Sequence, residues 1–309
     1  AANLAIYLVP FGFFLSGNDS FLMTTILWTI TGLGMAGVGM NLMHDALHNT
    51  VTRNEWVNRK IGAAIYMLCG NSYTWRVQHN MKHHTHTNVD GYDDDIDTGS
   101  LFRFHPNQER KSYHRFQHIY APLTYTLMTW KWFLQKDFIQ VLDYGNSDLF
   151  KARDQSLGMV WTKLIVGKSI HIGIFYVLPM LLGVPWFMVL WGNFLMHVMA
   201  GFILSITFQL AHVVDKAEFP TEEEVKQSSI LEHQLKTTAN FATKNWLVTW
   251  YTGGLNFQVE HHLFPTINHV HYPKIAEIVR KTASEFQLPY NEYKSTISAV
   301  KAHFRHLRI

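Results

Sequence analysis

Apolar residues along the chain fall into four blocks, set apart by two long polar regions. Asn3–Ser16 is followed by a short turn at 17–20, then by Phe21–Met43, which holds no charged residue. Leu164–Gly183 and Pro185–Ala211 come much later and are separated by a Gly-Val-Pro turn. An uncharged run of roughly 18 or more apolar residues has the length of a membrane-crossing helix. The first block is short for a crossing. The pattern predicts an all-α integral membrane protein with four transmembrane helices in two hairpins and a helical cytosolic cap. It would form one domain over residues 1–309. The first hairpin is residues 1–43 and the first polar region 44–163; the second hairpin is 164–211 and the second polar region 212–309.

The polar regions carry patterns of their own. Trp56–Leu68 alternates at helical spacing. Tyr120–Leu142 is rich in Trp, Phe and Lys and predicts an amphipathic helix in the membrane interface, or else a buried helix of the cap. The acidic run Gly91–Asp97 reads as a solvated loop; the alternative is that it hydrogen-bonds the histidines just before it. Thr221–Lys226 reads as the start of a surface helix.

Charge placement sharpens the topology. The turns at 17–20 and 183–185 carry no Lys or Arg, and 25 of the 26 basic residues lie in the two polar regions; Lys168 is the exception. By the positive-inside rule both polar regions and both termini face the cytoplasm. The first residues lack a basic stretch ahead of the apolar run, so they read as a membrane segment rather than a signal peptide. The abrupt apolar start suggests a chain that begins inside a longer protein. One cysteine, Cys69, excludes an intramolecular disulfide and a Cys-based zinc or iron–sulfur site. A net charge of +3 gives no nucleic-acid footprint.

The count that changes the picture is 19 histidines. Three clusters stand in the polar regions that follow the apolar hairpins: HDALH (His44, His48), HNMKHH (His79, His83, His84) and QVEHHLFP (Gln258, His261, His262). On an α-helix residues i and i+4 share a face, so His44 and His48 can reach one metal region, and so can His79 and His83. His84 would be turned by about 100° from His83, toward a neighbouring ion. Imidazole suits iron, zinc, copper and nickel. His212 ends the fourth block at the depth of His44 and joins the candidate ligands.

HDALH, HNMKHH and QVEHHLFP resemble the three histidine boxes of the membrane fatty acid desaturases. The glutamine of QxxHH resembles the front-end subgroup, which acts between an existing double bond and the carboxyl end. The resemblance covers nearly the whole chain. It implies a di-iron centre, O2 as co-substrate and two electrons from a reduced carrier. It also implies removal of two hydrogens from an acyl chain to leave a cis double bond. It carries over His44, His48, His79, His83, His84, His212, His261 and His262 as iron ligands. Gln258 stands where related enzymes have a histidine; its amide could bind iron directly, through water, or only orient a neighbour. Many eukaryotic front-end enzymes carry a fused cytochrome-b5-like domain with an HPGG motif. No HPGG occurs here, which implies a separate donor, a ferredoxin or cytochrome-b5-type protein.

Other readings stay open. A hydroxylase or ketolase on the same scaffold would end in oxygen insertion. A membrane zinc hydrolase would need only about three ligands and an open position. A metal or heme binder without activity leaves the third box unexplained. Asn256 could hold a water near the ligands, or serve as a turn residue after Gly253-Gly254. Trp75 and Arg76 could line the acyl entrance or meet the headgroup. Lys82, Arg110, Lys111 and Arg115 would suit a phosphate-bearing acyl carrier, be it coenzyme A, a carrier protein or a lipid. His171 and His197 read as interhelical hydrogen-bonders. His86, His105, His114, His118, His233, His269, His271, His303 and His306 read as surface residues or supports of the ligands.

Overall fold

A computed structural model describes residues 1–17, 20–147 and 156–308. Part of the expected turn at 17–20 therefore lies outside the described residues. The chain is mostly helical and divides into two compact units. The first comprises Ala1–Leu47, Thr52–Val77 and Leu123–Ser205; the second comprises His48–Val51, Gln78–Pro122 and Ile206–Ile309.

Three helices among the described residues are long and apolar enough to cross a membrane: Phe21–Leu47, Leu157–Leu181 and Trp186–His212. The first apolar block forms Ala2–Leu15, whose 14 residues reach only about 21 Å, short of a hydrocarbon core of about 30 Å. Within the first unit, small residues set the packing. A side chain at Gly34 would meet the Tyr7 backbone at 2.2 Å, and one at Gly32 would meet the Met196 carbonyl at 2.7 Å. Trp28 is fully buried and takes the edges of Phe11 and Phe14 at 5.5 and 5.2 Å. Lys168, the one basic residue inside an apolar block, is buried and paired with Asp137 at 2.9 Å, and Asp137 also accepts from Thr74. A charge at that depth needs such a partner.

Trp56–Leu68 is helical over Glu55–Gly62 and Ala64–Met67, as its spacing predicts. The Tyr120–Leu142 stretch is helical in pieces, Gln117–Tyr125, Met128–Lys131 and Asp137–Gly145, the last two joined by a π-helical segment. It buries Thr129, Asp137 and Val141 and exposes Leu123, Leu127, Leu134, Ile139 and Leu142. An apolar row left uncovered by the protein suits an interfacial helix better than a buried one.

The second unit departs from the all-α expectation at one point. Asn240–Phe241 pairs in parallel with Glu292–Tyr293, a two-residue bridge that satisfies backbone groups in a buried loop. Behind it, Leu210, Val214, Phe241, Tyr293 and Ala299 form a small core. Thr221–Lys226 does begin a surface helix, with Thr221 and Glu224 in a reciprocal capping box.

Candidate metal centre

The second histidine box does not sit on an α-helix. Arg76–His83 is π-helical, and the His84 N–H bonds the His79 carbonyl at 3.0 Å, five residues back. The wider turn changes the expected geometry. On an α-helix His84 would point away from His83. With an extra residue in the turn, His83 and His84 flank the direction of His79, at ring distances of 5.2 and 4.8 Å from it.

The third box is a short helix, Gln258–Leu263, fully buried over its first five residues. Six residues are too few to be stable alone, and a buried polar network holds them. Asn240 Oδ1 accepts from the Val259 N–H at 2.9 Å, and its Nδ2 donates to Glu260 Oε2 at 2.8 Å. Tyr290 donates to Glu260 Oε1 at 2.9 Å. Burial pushes the Glu260 carboxyl up from its usual range, against these donors. The chain enters the box through Gly253 and Gly254, both in the left-handed region; Gly254 lies so close to His269 that a side chain there would clash at 2.7 Å.

Seven histidines of the second unit come together. His48 lies 5.3, 5.0 and 4.9 Å from the rings of His79, His84 and His261. His83 lies 4.6 Å from His212 and 4.9 Å from His262. His84 stands between the two groups, 4.6 Å from His261 and 4.3 Å from His262. Donor atoms of His83, His212 and His262 lie within 4.8 Å of one another, and so do those of His84, His261 and His262. The two triads share His262 and together form one continuous cluster of donors that could hold metal. Phe208 closes one side against His79, His83 and His212.

The ring orientations are held from outside. His83 Nδ1 donates to Asp93 at 3.0 Å and His79 Nδ1 to Asp95 at 3.2 Å. His262 Nδ1 donates to Gln234 Oε1 at 2.7 Å, and His261 Nδ1 meets the Tyr272 hydroxyl at 3.2 Å. Gln234 also donates to the His84 carbonyl at 2.8 Å. The Nε2 atoms of His83 and His262 and the Oε1 of Gln258 are buried with no hydrogen-bond partner. Imidazoles tied through Nδ1 in this way are a donor set that could hold a transition-metal ion. Burial alone would lower the His83 basicity, but Asp93 and Asp95 together outweigh it and raise it; burial, with His84 and His212 adjacent, holds His262 well below the usual range.

Several expectations are corrected. The acidic run is not a solvated loop: Asp93 is buried, and Asp93 and Asp95 orient two box histidines. Lys82 pairs with Asp94 of the same acidic run. Asn256 turns its amide to Thr249 and the Ala242 carbonyl, bracing the turn after Gly253-Gly254. His105, His114, His233, His303 and His306 are buried, not superficial. His171 and His197 do make the expected interhelical bonds, to the Met67 carbonyl and to Thr129. His44 lies in the first unit, one turn ahead of His48 along the chain, with its ring at 5.7 Å edge-on to Trp75. Trp75 is thus buried against a box histidine; Arg76, half-buried, opens the π-helical segment. The sequence reading missed Gln234, Tyr272, Asn240 and Asn88. Asn88 donates to the carbonyls of His212, Glu218 and Thr237 at 3.0, 3.1 and 3.3 Å. The one signal for this outer layer was the acidic run that follows the second box.

Comparison with known proteins agrees with this geometry. A family profile described as fatty acid desaturase matches residues 20–294. A sn-1 linoleoyl-lipid 6-desaturase from Arthrospira platensis is 31% identical over all of this chain and 83% of its own length. One of the same description from Synechocystis is 34% identical over 90% of this chain and 78% of its own. An acyl-lipid (8-3)-desaturase from Physcomitrium patens is 35% identical over 96% of this chain, which spans 62% of that protein's length.

Proposed function

The chain belongs to the fatty acid desaturase family and is a fatty acyl desaturase, and from that premise we propose that it is a front-end acyl-lipid desaturase. Two iron ions would be held by His44, His48, His79, His83, His84, His212, His261 and His262, with Gln258 as a weaker donor. Bound iron would supply the one-electron chemistry that reduces O2 and takes two hydrogens from an unactivated acyl chain. The protein's own part is positional. Asp93, Asp95 and Gln234 fix the tautomers of His83, His79 and His262, and Tyr272 orients the ring of His261. Asn240, Glu260 and Tyr290 hold the third box in register. Phe208 keeps water from one side of the cluster.

The observation that carries this reading is the pair of overlapping histidine triads, in which His83, His261 and His262 have Nδ1 already engaged. A single catalytic zinc has no use for seven clustered imidazoles. The front-end assignment is supported by QVEHHLFP and by the names of the relatives, which act on lipid-bound acyl chains. The segregation of basic residues supports four membrane crossings, the short Ala2–Leu15 helix crossing where the bilayer thins around it, with a cytoplasmic active site and termini. Electrons would come from a ferredoxin or a cytochrome-b5-type protein.

The test uses protein reconstituted into vesicles of linoleoyl phospholipid, with ferredoxin, its reductase, reductant and O2. The expected product carries a new cis double bond on the carboxyl side of the existing ones. A hydroxylated chain without a new double bond would assign the oxygenase reading instead. A new bond on the methyl side would refute the front-end assignment.

A further inference from the structure

The first unit holds a second group of buried donors that desaturation does not use. Cys69, His171 and His197 are fully buried, and the thiol sulfur and one nitrogen of each imidazole lie within 4.8 Å of one another. The hydrogen bonds around them fix both tautomers. His171 Nδ1 donates to the Met67 carbonyl at 2.9 Å. Thr129 gives its only hydroxyl proton to the His197 carbonyl at 2.9 Å, so its oxygen accepts from His197 Nδ1 at 3.1 Å. Each ring therefore carries its proton on Nδ1 and presents a bare Nε2, and neither Nε2 has a hydrogen-bond partner. The thiol itself is directed at the Thr129 carbonyl, 3.8 Å away. A single weak S–H donor cannot serve that carbonyl and two imidazole acceptors as well. Buried acceptors left in this state are costly, and a cation would satisfy the sulfur and both nitrogens together.

We propose that Cys69, His171 and His197 bind one borderline-to-soft transition-metal ion, Zn²⁺ or Cu⁺, inside the membrane-spanning unit. One thiolate with two imidazoles is a ligand set that both ions accept. Binding replaces the S–H bond with a sulfur–metal bond and releases the thiol proton to solvent. The neighbouring cation does not oppose it, because Lys168 is already neutralised by Asp137 at 2.9 Å. Having one cysteine excludes sites built on several thiolates, not this mixed one. The ion would tie the loop at Cys69 to the Leu157–Leu181 and Trp186–His212 helices, ten residues ahead of His79 on the chain.

The full chain, purified in detergent and washed with a mild chelator, is offered Zn²⁺, Cu⁺ under reductant, or Co²⁺, then desalted and its metals counted. The expected result is one equivalent per chain beyond iron, and with Co²⁺ a thiolate-to-cobalt charge-transfer band. Cys69→Ser and His197→Gln should lose both, while an iron content equal to that of the wild type shows that they fold. Retention of zinc or of copper decides between the two ions. A wild-type protein that keeps no ion beyond iron, or binds cobalt without the charge-transfer band, overturns the proposal without reference to any variant. So does a Cys69→Ser protein that keeps the extra equivalent.

Discussion

Two sets of buried histidines in the second unit make an instructive pair. His79, His83, His261 and His262 belong to a cluster whose rings lie as close as 4.3 Å. His114, His303 and His306 are equally buried, yet each ends on a backbone carbonyl, of Ser100, Val213 and Phe104, at 2.9, 2.7 and 2.8 Å. Burial therefore does not mark a ligand. The difference lies in what each nitrogen meets. In the first four Nδ1 is engaged by a side chain, a carboxylate in two cases, and the rings face other imidazoles. In the second set a ring nitrogen is spent on holding two segments together. The first arrangement raises donor strength and fixes direction; the second stabilises the fold.

Substitutions should separate the two sets, and the largest effect belongs to the shared member of the triads. His262→Ala is expected to lose iron and to lower turnover more than about 100-fold, since even outer partners of metal ligands cost about 10–100-fold. Full iron retention in that variant would remove His262 from the ligand set. Asp93→Asn keeps the shape but not the charge that orients His83, and should cost about 10–100-fold in iron affinity or activity. A variant with unchanged iron affinity and rate would return Asp93 to a purely structural role. Gln234→Leu deprives His262 Nδ1 and the His84 carbonyl of their partner, with an expected loss near the low end, about tenfold.

The smallest catalytic effect is expected at His303, where iron content and turnover of His303→Gln should match the wild type. Stability is another matter. Burial pushes the His303 imidazole down to about 4 from an ordinary value near 6.5. Its folded form is neutral, so the stability it contributes is present above about pH 6.5 and is lost as pH falls toward 4. His303→Gln should flatten part of that acid loss in thermal unfolding measured across this range. An acid limb identical to wild type would mean that His303 contributes nothing to it.

The same contrast shows where the chain's linear pattern was informative. Apolar run length located the three helices long and apolar enough to cross a membrane, because hydrocarbon thickness sets a length that hydropathy records directly. Paired histidines in the polar regions that follow those runs pointed to the cluster. The π-helical turn at Arg76–His83 was not legible, since a 3.6-residue period is what helical spacing assumes. Asp93 was misread because acidic runs are usually solvated, and only the fold shows that this one turns back onto His83 ten residues earlier. Gln234 and Tyr290 reach their partners across 28 and 30 residues and have no local signature. The buried carbonyl-capping histidines were taken for surface residues or supports of the ligands for the same reason: a polar neighbourhood in sequence is not a polar neighbourhood in space.

Iron stoichiometry of the purified full chain, with the spin state of the bound iron read by Mössbauer spectroscopy, tests the central claim most directly. The account predicts two iron ions per chain, both lost together in His262→Ala and both retained in His303→Gln. One iron per chain, or zinc in the histidine cluster with no iron, would contradict it.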